Sequence, residues 1–533
     1  LSKDTFLKGA FILTVAGIVV KIIGSVNRIL LSRLLGGEGV GLYQMAYPIY
    51  LLALSVSSAG IPVAISIIVA EKLARSDYRG ANRVFRISLG VLAATGLLFT
   101  FLLYYGAGWL IEHNFVRDHR AYYAIAALAP AIFFVTVLSS YRGYFQGLQM
   151  MTPTAVSQIF EQLFRVVTMI AFAYILLPRG LEFAAAGASF GAGPGAAAGL
   201  LVLLYFYWRH KPGFKHQMDT QPQITQESSL SIVGRIVKLA LPVSLANIML
   251  PVVSNIDLLI VPARLEVAGY TVEQATELFG YLTGMAVPLV NLATILTASL
   301  AASLVPAVSE AYTLGNRQRI YQRTATAMRI SNLITIPSFV GMALLATPIS
   351  LMLYGTPNAG LAIAILAVGI FLLGIHQVTT GVLQGLGHTA IPVVNMAISA
   401  VVKIIMSWVL TAIPSLGIMG AAWATVADFG VAALLNMFFV YRYVGFSLNI
   451  KDTFKAIVAS AVMGAVVLLA YDLIMSHTLH NTLATLGSIT AGGAAFGIVL
   501  LLVGGIEARD IEQLPRIGGK MADILIKLKL LRR

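Results

Sequence analysis

Gly143-Tyr-Phe-Gln146-Gly147-Leu148 is followed by Pro153 and an apolar stretch containing Arg165. The same order returns as Gly381-Val-Leu-Gln384-Gly385-Leu386, then Pro392 and an apolar stretch containing Lys403. Motif and cation both recur at a spacing of 238 residues. A further echo, Ile61-Pro62-Val-Ala-Ile-Ser66 before Glu71 and Arg86-Ile-Ser88, returns as Val305-Pro306-Ala-Val-Ser309 before Glu310 and Arg329-Ile-Ser331. Echoes that keep one order mark an internal duplication. About six apolar runs separate equivalent positions, so both copies cross in the same direction, as two parallel six-helix lobes related about the membrane normal.

Composition puts the duplicated lobes in a bilayer. Of 533 residues, 58% are hydrophobic and 11% charged, against about 45–50% and about 25% in a soluble domain. Apolar runs near 9–31, 44–70, 84–106, 121–142, 154–177, 185–208, 236–261, 279–304, 327–353, 360–383, 391–412, 417–440, 454–474 and 483–505 predict fourteen spans. The expected fold is an all-α polytopic membrane protein with fourteen transmembrane helices, the last two outside the repeat. Its parts are a first lobe with a polar cytoplasmic linker over 1–225, a second lobe over 226–445, and helices 13 and 14 with a basic tail over 446–533. The N-terminal run, preceded by Lys3 and Lys8 and lacking a small-x-small cleavage site, reads as a retained first span.

Charge sets the orientation. Segments on the side of the N-terminus, with the C-terminal tail, carry 27 Lys and Arg, whereas the other side carries 5: Arg33, Arg117, Arg120, Arg179 and Arg264. Positive residues are retained on the cytoplasmic side, so a multi-pass cell-membrane protein with both termini cytoplasmic is expected. The net charge of +14 then points to anionic membrane lipids as partners rather than to nucleic acid. Absence of cysteine excludes disulfide scaffolds and thiolate chemistry.

Ionisable groups within the apolar runs are the candidate site, because each needs a polar cavity, a partner or the interface. Lys21 and Arg28 lie seven residues apart on one face of the first span, with Asn27 beside them. The seventh span carries Ser244, Asn247, Ser254, Asn255 and Asp257 on a largely polar face interrupted by Pro242 and Pro251. Asp257 fits a cavity, an ion pair or the interface. Glu161 and Arg165, at i,i+4, read as a structural ion pair. Lys403 has no acid within one turn and reads as a cavity cation. Gly60, Pro62, Pro242 and Pro251 are hinge candidates.

Scattered cations opposed by few acids suit an anionic headgroup, particularly a phosphate or diphosphate. The sequence has no phosphate-binding Gly-rich lysine loop, no metal-ligating histidine constellation and no embedded catalytic triad. Neither an ATP-driven pump nor a membrane enzyme is therefore expected. No cofactor is expected either, and the energy source would be the membrane potential, a monovalent cation or the substrate gradient. A non-transporting membrane scaffold would not need the polar faces on helices 1 and 7.

Several stretches carry a family resemblance. Thr5-Phe-Leu-Lys-Gly9, Leu34-Leu-Gly-Gly-Glu38-Gly-Val-Gly-Leu-Tyr43, Gly60-Ile-Pro-Val-Ala-Ile-Ser66 and Gly143-Tyr-Phe-Gln-Gly-Leu148 closely resemble the stage V sporulation protein B group of polysaccharide biosynthesis proteins. That group is similar to MurJ lipid II flippases, O-antigen flippases and multidrug and toxin extruders, the MATE/MOP superfamily. The resemblance implies a V-shaped transporter of two lobes, with a cationic cavity from helices 1, 2, 7 and 8 for a sugar-diphosphate head. A groove beside helices 13 and 14 would take the polyprenyl tail. It also implies an undecaprenyl-diphosphate-linked glycan as substrate, in particular lipid II during spore cortex synthesis, and wall-synthesis enzymes as partners. The alternative is an ion-coupled multidrug or other glycolipid exporter. In lipid II flippases a Ser-Arg-x-x-Gly-x-x-Arg-Asp pattern resembles Val20-Lys21-Ile-Ile-Gly24-Ser-Val-Asn27-Arg28, with Lys21 replacing the first cation, Asn27 the second, and Arg28 the acid.

Overall fold

The computed structural model describes residues 3–58, 60–220 and 227–505. The basic tail beyond residue 505 and the middle of the linker, 221–226, lie outside them. The described residues are helical almost throughout. They open with α1 (Lys3–Ser58), α2 (Ile61–Ala74), α3 (Tyr78–Glu112), α4 (Ala121–Gly147), α5 (Met151–Leu176), α6 (Leu181–Phe190) and α7 (Ala192–Thr220). Next come α8 (Ser229–Val267), α9 (Val272–Phe279), a π-helical stretch at Gly280–Ala286, α10 (Val287–Ala293) and α11 (Ile295–Thr313). The chain continues through α12 (Arg317–Leu344), α13 (Ala346–Tyr354), α14 (Gly360–Gly385), α15 (Ala390–Leu410), α16 (Ile418–Val444), α17 (Ile450–Thr478) and α18 (Asn481–Leu502).

Among the described residues, thirteen stretches are long and apolar enough to cross a membrane. The first, Val15–Ala74, is 60 residues long, about 90 Å if straight and so roughly three times the hydrocarbon thickness. It is interrupted at Gly36, whose φ of 67° and ψ of −173° are non-helical, and again at Gly60, with φ 77°. The glycine-rich stretch 34–43 looks like a loop in sequence but is helical apart from Gly36. Its glycines serve contact instead. A Cβ on Gly41 would strike the Thr276 carbonyl, one on Gly39 would lie 2.9 Å from the Leu181 side chain, and one on Gly280 would strike the Gly37 carbonyl. Small residues let these helices approach closely, as they commonly do in membranes.

The described contacts form two compact units, Leu1–Gly280 and Tyr281–Arg533. In the first, α4 packs against α1, α2, α3, α6 and α7; in the second, α14 packs against α10, α11, α12, α13 and α16. These are the helices that end in the two Gln-Gly-Leu motifs. Each is 56% buried over its apolar window, more than any other membrane-length helix.

The repeated motif has the same packing in both units. A Cβ on Gly143 would lie 2.6 Å from the Pro62 carbonyl, and one on Gly381 2.6 Å from the Ala301 carbonyl. Likewise Gly147 faces Val69 Cβ and Gly385 faces Val308 Cβ, each at 2.7 Å. Both helices then close with one hydrogen-bonded turn: Met150 N–H donates to the Phe145 carbonyl and His388 N–H to the Leu383 carbonyl, at 2.9 Å each. This contact pairs Pro62 with Ala301, not Pro306, so the proline echo is five residues out of register with the packing.

Two other expectations change. The polar stretch from His210 is not all linker, because α7 runs on to Thr220. Phe214 explains this: it is 5% exposed and sets its ring against Tyr78 and Tyr144. Arg142, at the end of the fourth apolar run and counted among the cations on the side of the N-terminus, lies inside α4, which continues to Gly147.

Candidate functional site

Within the first unit, α1 presents Lys21 and Arg28 differently from Asn27. Lys21 is exposed, and it forms no ion pair among the described residues. Its helical neighbours Ile18, Ile22 and Val26 are exposed as well. A primary ammonium in such a setting attracts an anion. Arg28 is partly buried, within electrostatic reach of Tyr43. Asn27 points elsewhere: it is 6% exposed and donates its amide to Met169 Sδ of α5 at 3.3 Å. The seven-residue spacing therefore keeps the two cations on one face, and Asn27 turns into the packed interface.

Behind that face, α4 and α5 enclose a charge cluster. Glu161 accepts from Arg165 Nη2 at 2.9 Å through one carboxylate oxygen and from Arg142 Nη2 at 2.8 Å through the other. Arg142 Nε also donates to Ser157 Oγ at 3.1 Å. The expected Glu161–Arg165 pair is thus part of a triad with a net positive charge, all three side chains less than a fifth exposed. Sequence reasoning missed Arg142 because it lies 19 residues from Glu161, outside any helical spacing rule. It also missed a ladder of Tyr43, Tyr47 and Tyr50, whose rings follow one another at 5.5 and 5.9 Å. Arg165 lies within electrostatic reach of Tyr43 and Tyr50. The buried Tyr50 hydroxyl and Arg165 Nε have no hydrogen-bond partner among the described residues.

The helix α8 joins this unit through Asn255, which donates to the Pro48 and Pro251 carbonyls at 2.8 Å each. Asn247 is exposed on α8, whereas Asp257 is partly buried and engaged by a neighbour. The helix runs unbroken through Pro242 and Pro251, although each removes a hydrogen bond to the carbonyl four residues earlier. Gly60 and Pro62 do mark a break, between α1 and α2, and Gly60 lies against Ala240 and Ser244 of α8.

In the second unit, Lys403 is 7% exposed and has an interaction partner, unlike the free cation its local sequence suggests. Ser399 donates to Asp428 at 2.6 Å, and Asn395, Asn436 and Thr380 form a buried chain of hydrogen bonds. Thr380, Asn395, Ser399 and Lys403 stand 238 residues after Arg142, Ser157, Glu161 and Arg165. The repeat thus places a buried polar layer at the same positions of both units and charges only one of them heavily.

A second cluster fixes the 113–120 connection of the first unit. Arg120 bridges Glu38 at 2.6 Å and Asp118 at 2.7 Å, and Thr276 of α9 donates to Asp118 at 2.9 Å. Burial raises the Asp118 pKa, but hydrogen bonds from Arg120 and Thr276 outweigh it and hold the carboxyl below its ordinary value. Among the described residues, no group of three or more His, Asp or Glu could hold a metal ion.

Comparison with known proteins matches this arrangement to a family. The family model described as polysaccharide biosynthesis protein covers residues 6–312, and one described as MatE covers 242–409. The chain is 33% identical to stage V sporulation protein B of Bacillus subtilis (strain 168) over 521 residues, 97% of this chain and 99% of the relative. It is 29% identical to lipid II flippase MurJ of the same organism over 489 residues, 87% and 88% of the two chains. Among solved structures, an inward-facing multidrug-resistance MATE transporter of the MOP superfamily has TM-score 0.67 at 17% identity, covering 80% of this chain and 94% of that one. The inward closed lipid II flippase MurJ has TM-score 0.67 at 16% identity, covering 92% and 98%. The chain belongs to the polysaccharide biosynthesis protein family and has the MATE/MOP fold.

Proposed function

We propose that the chain is a flippase moving an undecaprenyl-diphosphate-linked cell-wall precursor, peptidoglycan lipid II, from the inner to the outer leaflet during spore cortex synthesis. The observation that carries this reading is Lys21, an exposed cation within an apolar helix with no ion pair among the described residues. A diphosphate supplies the charge-assisted partner such a group lacks. The sporulation and flippase relatives, each matched over most of its length, support the same substrate class.

In this reading the first 60-residue stretch crosses twice, giving fourteen spans with both termini cytoplasmic. The parallel lobes of 1–225 and 226–445 rock about Gly60, Pro62, Pro242 and Pro251, driven by the membrane potential or a monovalent cation. Arg28, Asn247, Asn255 and Asp257 add polar positions along the path, Asn27 supports α1 from behind, and 446–533 supplies helices 13 and 14 and the tail. Anionic lipids and wall-synthesis enzymes are its partners.

Lys21→Ala should slow flipping of the lipid-linked precursor in proteoliposomes by about tenfold or more, the loss of one charge-assisted bond, at unchanged folded abundance. Lys21→Arg should retain more activity than Lys21→Ala. Normal flipping by both variants would remove Lys21 from the headgroup contacts.

A further inference from the structure

At one end of the first unit, α3, α4 and α7 enclose a cavity of about 310 Å³ that is separate from the Lys21 face. This is the small end of the range for small-molecule sites. Arg86, Lys211 and Lys215 converge on it, with one acid, Asp219, among its lining residues. None of the three cations forms an ion pair among the described residues. Basic residues that only fix topology need no common cavity, and three exposed cations around one cavity raise the local concentration of anions.

The rest of the lining is equipped for an anion. Tyr144, 2% exposed, lines the cavity with Tyr207 and Asn82. Neither tyrosine hydroxyl makes a hydrogen bond among the described residues, nor does the Asn82 amide. The rings are held in place: Tyr144 and Tyr207 pack against Phe85 with centroids 4.4 and 5.4 Å away. The outer wall is built by Phe214, whose docking extends α7 past the apolar run and brings Lys211 and Lys215 over the ends of α3 and α4. Three point charges and three donors, of which the Tyr144 hydroxyl belongs to a buried side chain, match the several acceptor oxygens and multiple charge of a phosphate group. The charge asymmetry assigns this end to the cytoplasmic leaflet, where basic pockets between helices take acidic head groups.

We propose that this cavity is a phosphate-binding site, taking either the headgroup of an acidic phospholipid or a soluble phosphate compound from the cytoplasm. It is separate from the translocation site, so its occupant would act on the transporter from its inner edge.

The test is equilibrium binding to the full chain in detergent, where both faces are open and orientation does not enter. The probes are pyrophosphate and short-chain phosphatidylglycerol, with short-chain phosphatidylcholine as the zwitterionic control. Saturable binding of an anionic probe is expected, weakened about tenfold or more in the Lys211→Gln/Lys215→Gln double variant. Tyr144→Phe, which keeps the ring, should weaken it several-fold at an unchanged melting temperature, the loss of one hydrogen bond. The binding lost in the Lys211→Gln/Lys215→Gln variant should persist in Lys21→Ala, whatever pyrophosphate the Lys21 face itself takes up, so failure of the flippase reading and failure of this one are distinguishable. Binding of phosphatidylglycerol but not pyrophosphate assigns a lipid headgroup; pyrophosphate binding assigns a soluble ligand. The proposal is overturned if neither anion binds, if phosphatidylcholine binds as well as phosphatidylglycerol, or if all variants bind equally.

Discussion

Lys21 and Arg165 carry the same charge on apolar helices, and their neighbours give them opposite surroundings. Lys21 is exposed with no ion pair among the described residues, whereas Arg165 shares the carboxylate of Glu161 with Arg142. The first contrast was legible in the sequence, since Lys21 has no acid within a helical turn. The triad was not, because its third member comes from another helix, at the edge of the fourth apolar run and five residues before the end of α4. Glu161 holds two guanidinium groups away from water. Glu161→Gln removes the compensating charge from both, and unfolding in detergent should become easier by about 3–5 kcal/mol, the cost of leaving a buried charge unpaired. The added substitution Arg142→Met should recover part of that loss; a Glu161→Gln protein as stable as wild type would contradict the assignment.

At the scale of the helix, glycine decides which contacts form. Gly143 and Gly381 bring a neighbouring backbone carbonyl to where a Cβ would stand, so the conserved spacing within the chain is a packing device rather than a chemical motif. Replacing either by Ala forces the crossing helix outward, and a lower melting temperature is expected, equivalent to about 1–3 kcal/mol. Unchanged melting would show that the crossing yields. The helical run at 34–43 falls in the gap between the apolar runs 9–31 and 44–70, and only the contacts with Leu181 and Thr276 show that its glycines serve close approach.

The Asp118, Arg120, Glu38 and Thr276 cluster ties these elements together, and its pH response has a fixed sign. A carboxyl whose folded pKa lies below its unfolded value contributes stability above the unfolded value, about 3.9, and loses it as pH falls through the folded one. Asp118→Asn should therefore lower the melting temperature by a constant amount from pH 7 to about 5, with the difference closing only below about 4. A difference that closed near pH 6 would point to another group.

Over the whole molecule, apolar runs and loop charges were enough to read a polytopic helical protein, because hydropathy and backbone satisfaction leave few alternatives in lipid. The repeat was legible through the Gln-Gly-Leu helices, which became the most buried helix of each unit. Its exact register was not, since Pro62 and Pro306 match as letters while the packing pairs Pro62 with Ala301. Nor does fold select substrate: the MATE transporter and the MurJ flippase both resemble this chain at TM-score 0.67. The choice rests on chemistry, on whether the exposed Lys21 meets a diphosphate. The most direct measurement is transfer of an undecaprenyl-diphosphate-linked disaccharide-pentapeptide across liposomes holding the wild-type protein, with a non-phosphorylated glycolipid and a cationic drug as competitors. The account predicts protein-dependent transfer that other undecaprenyl-diphosphate-linked sugars inhibit and neither competitor does; absence of transfer, or inhibition by the drug alone, would contradict it.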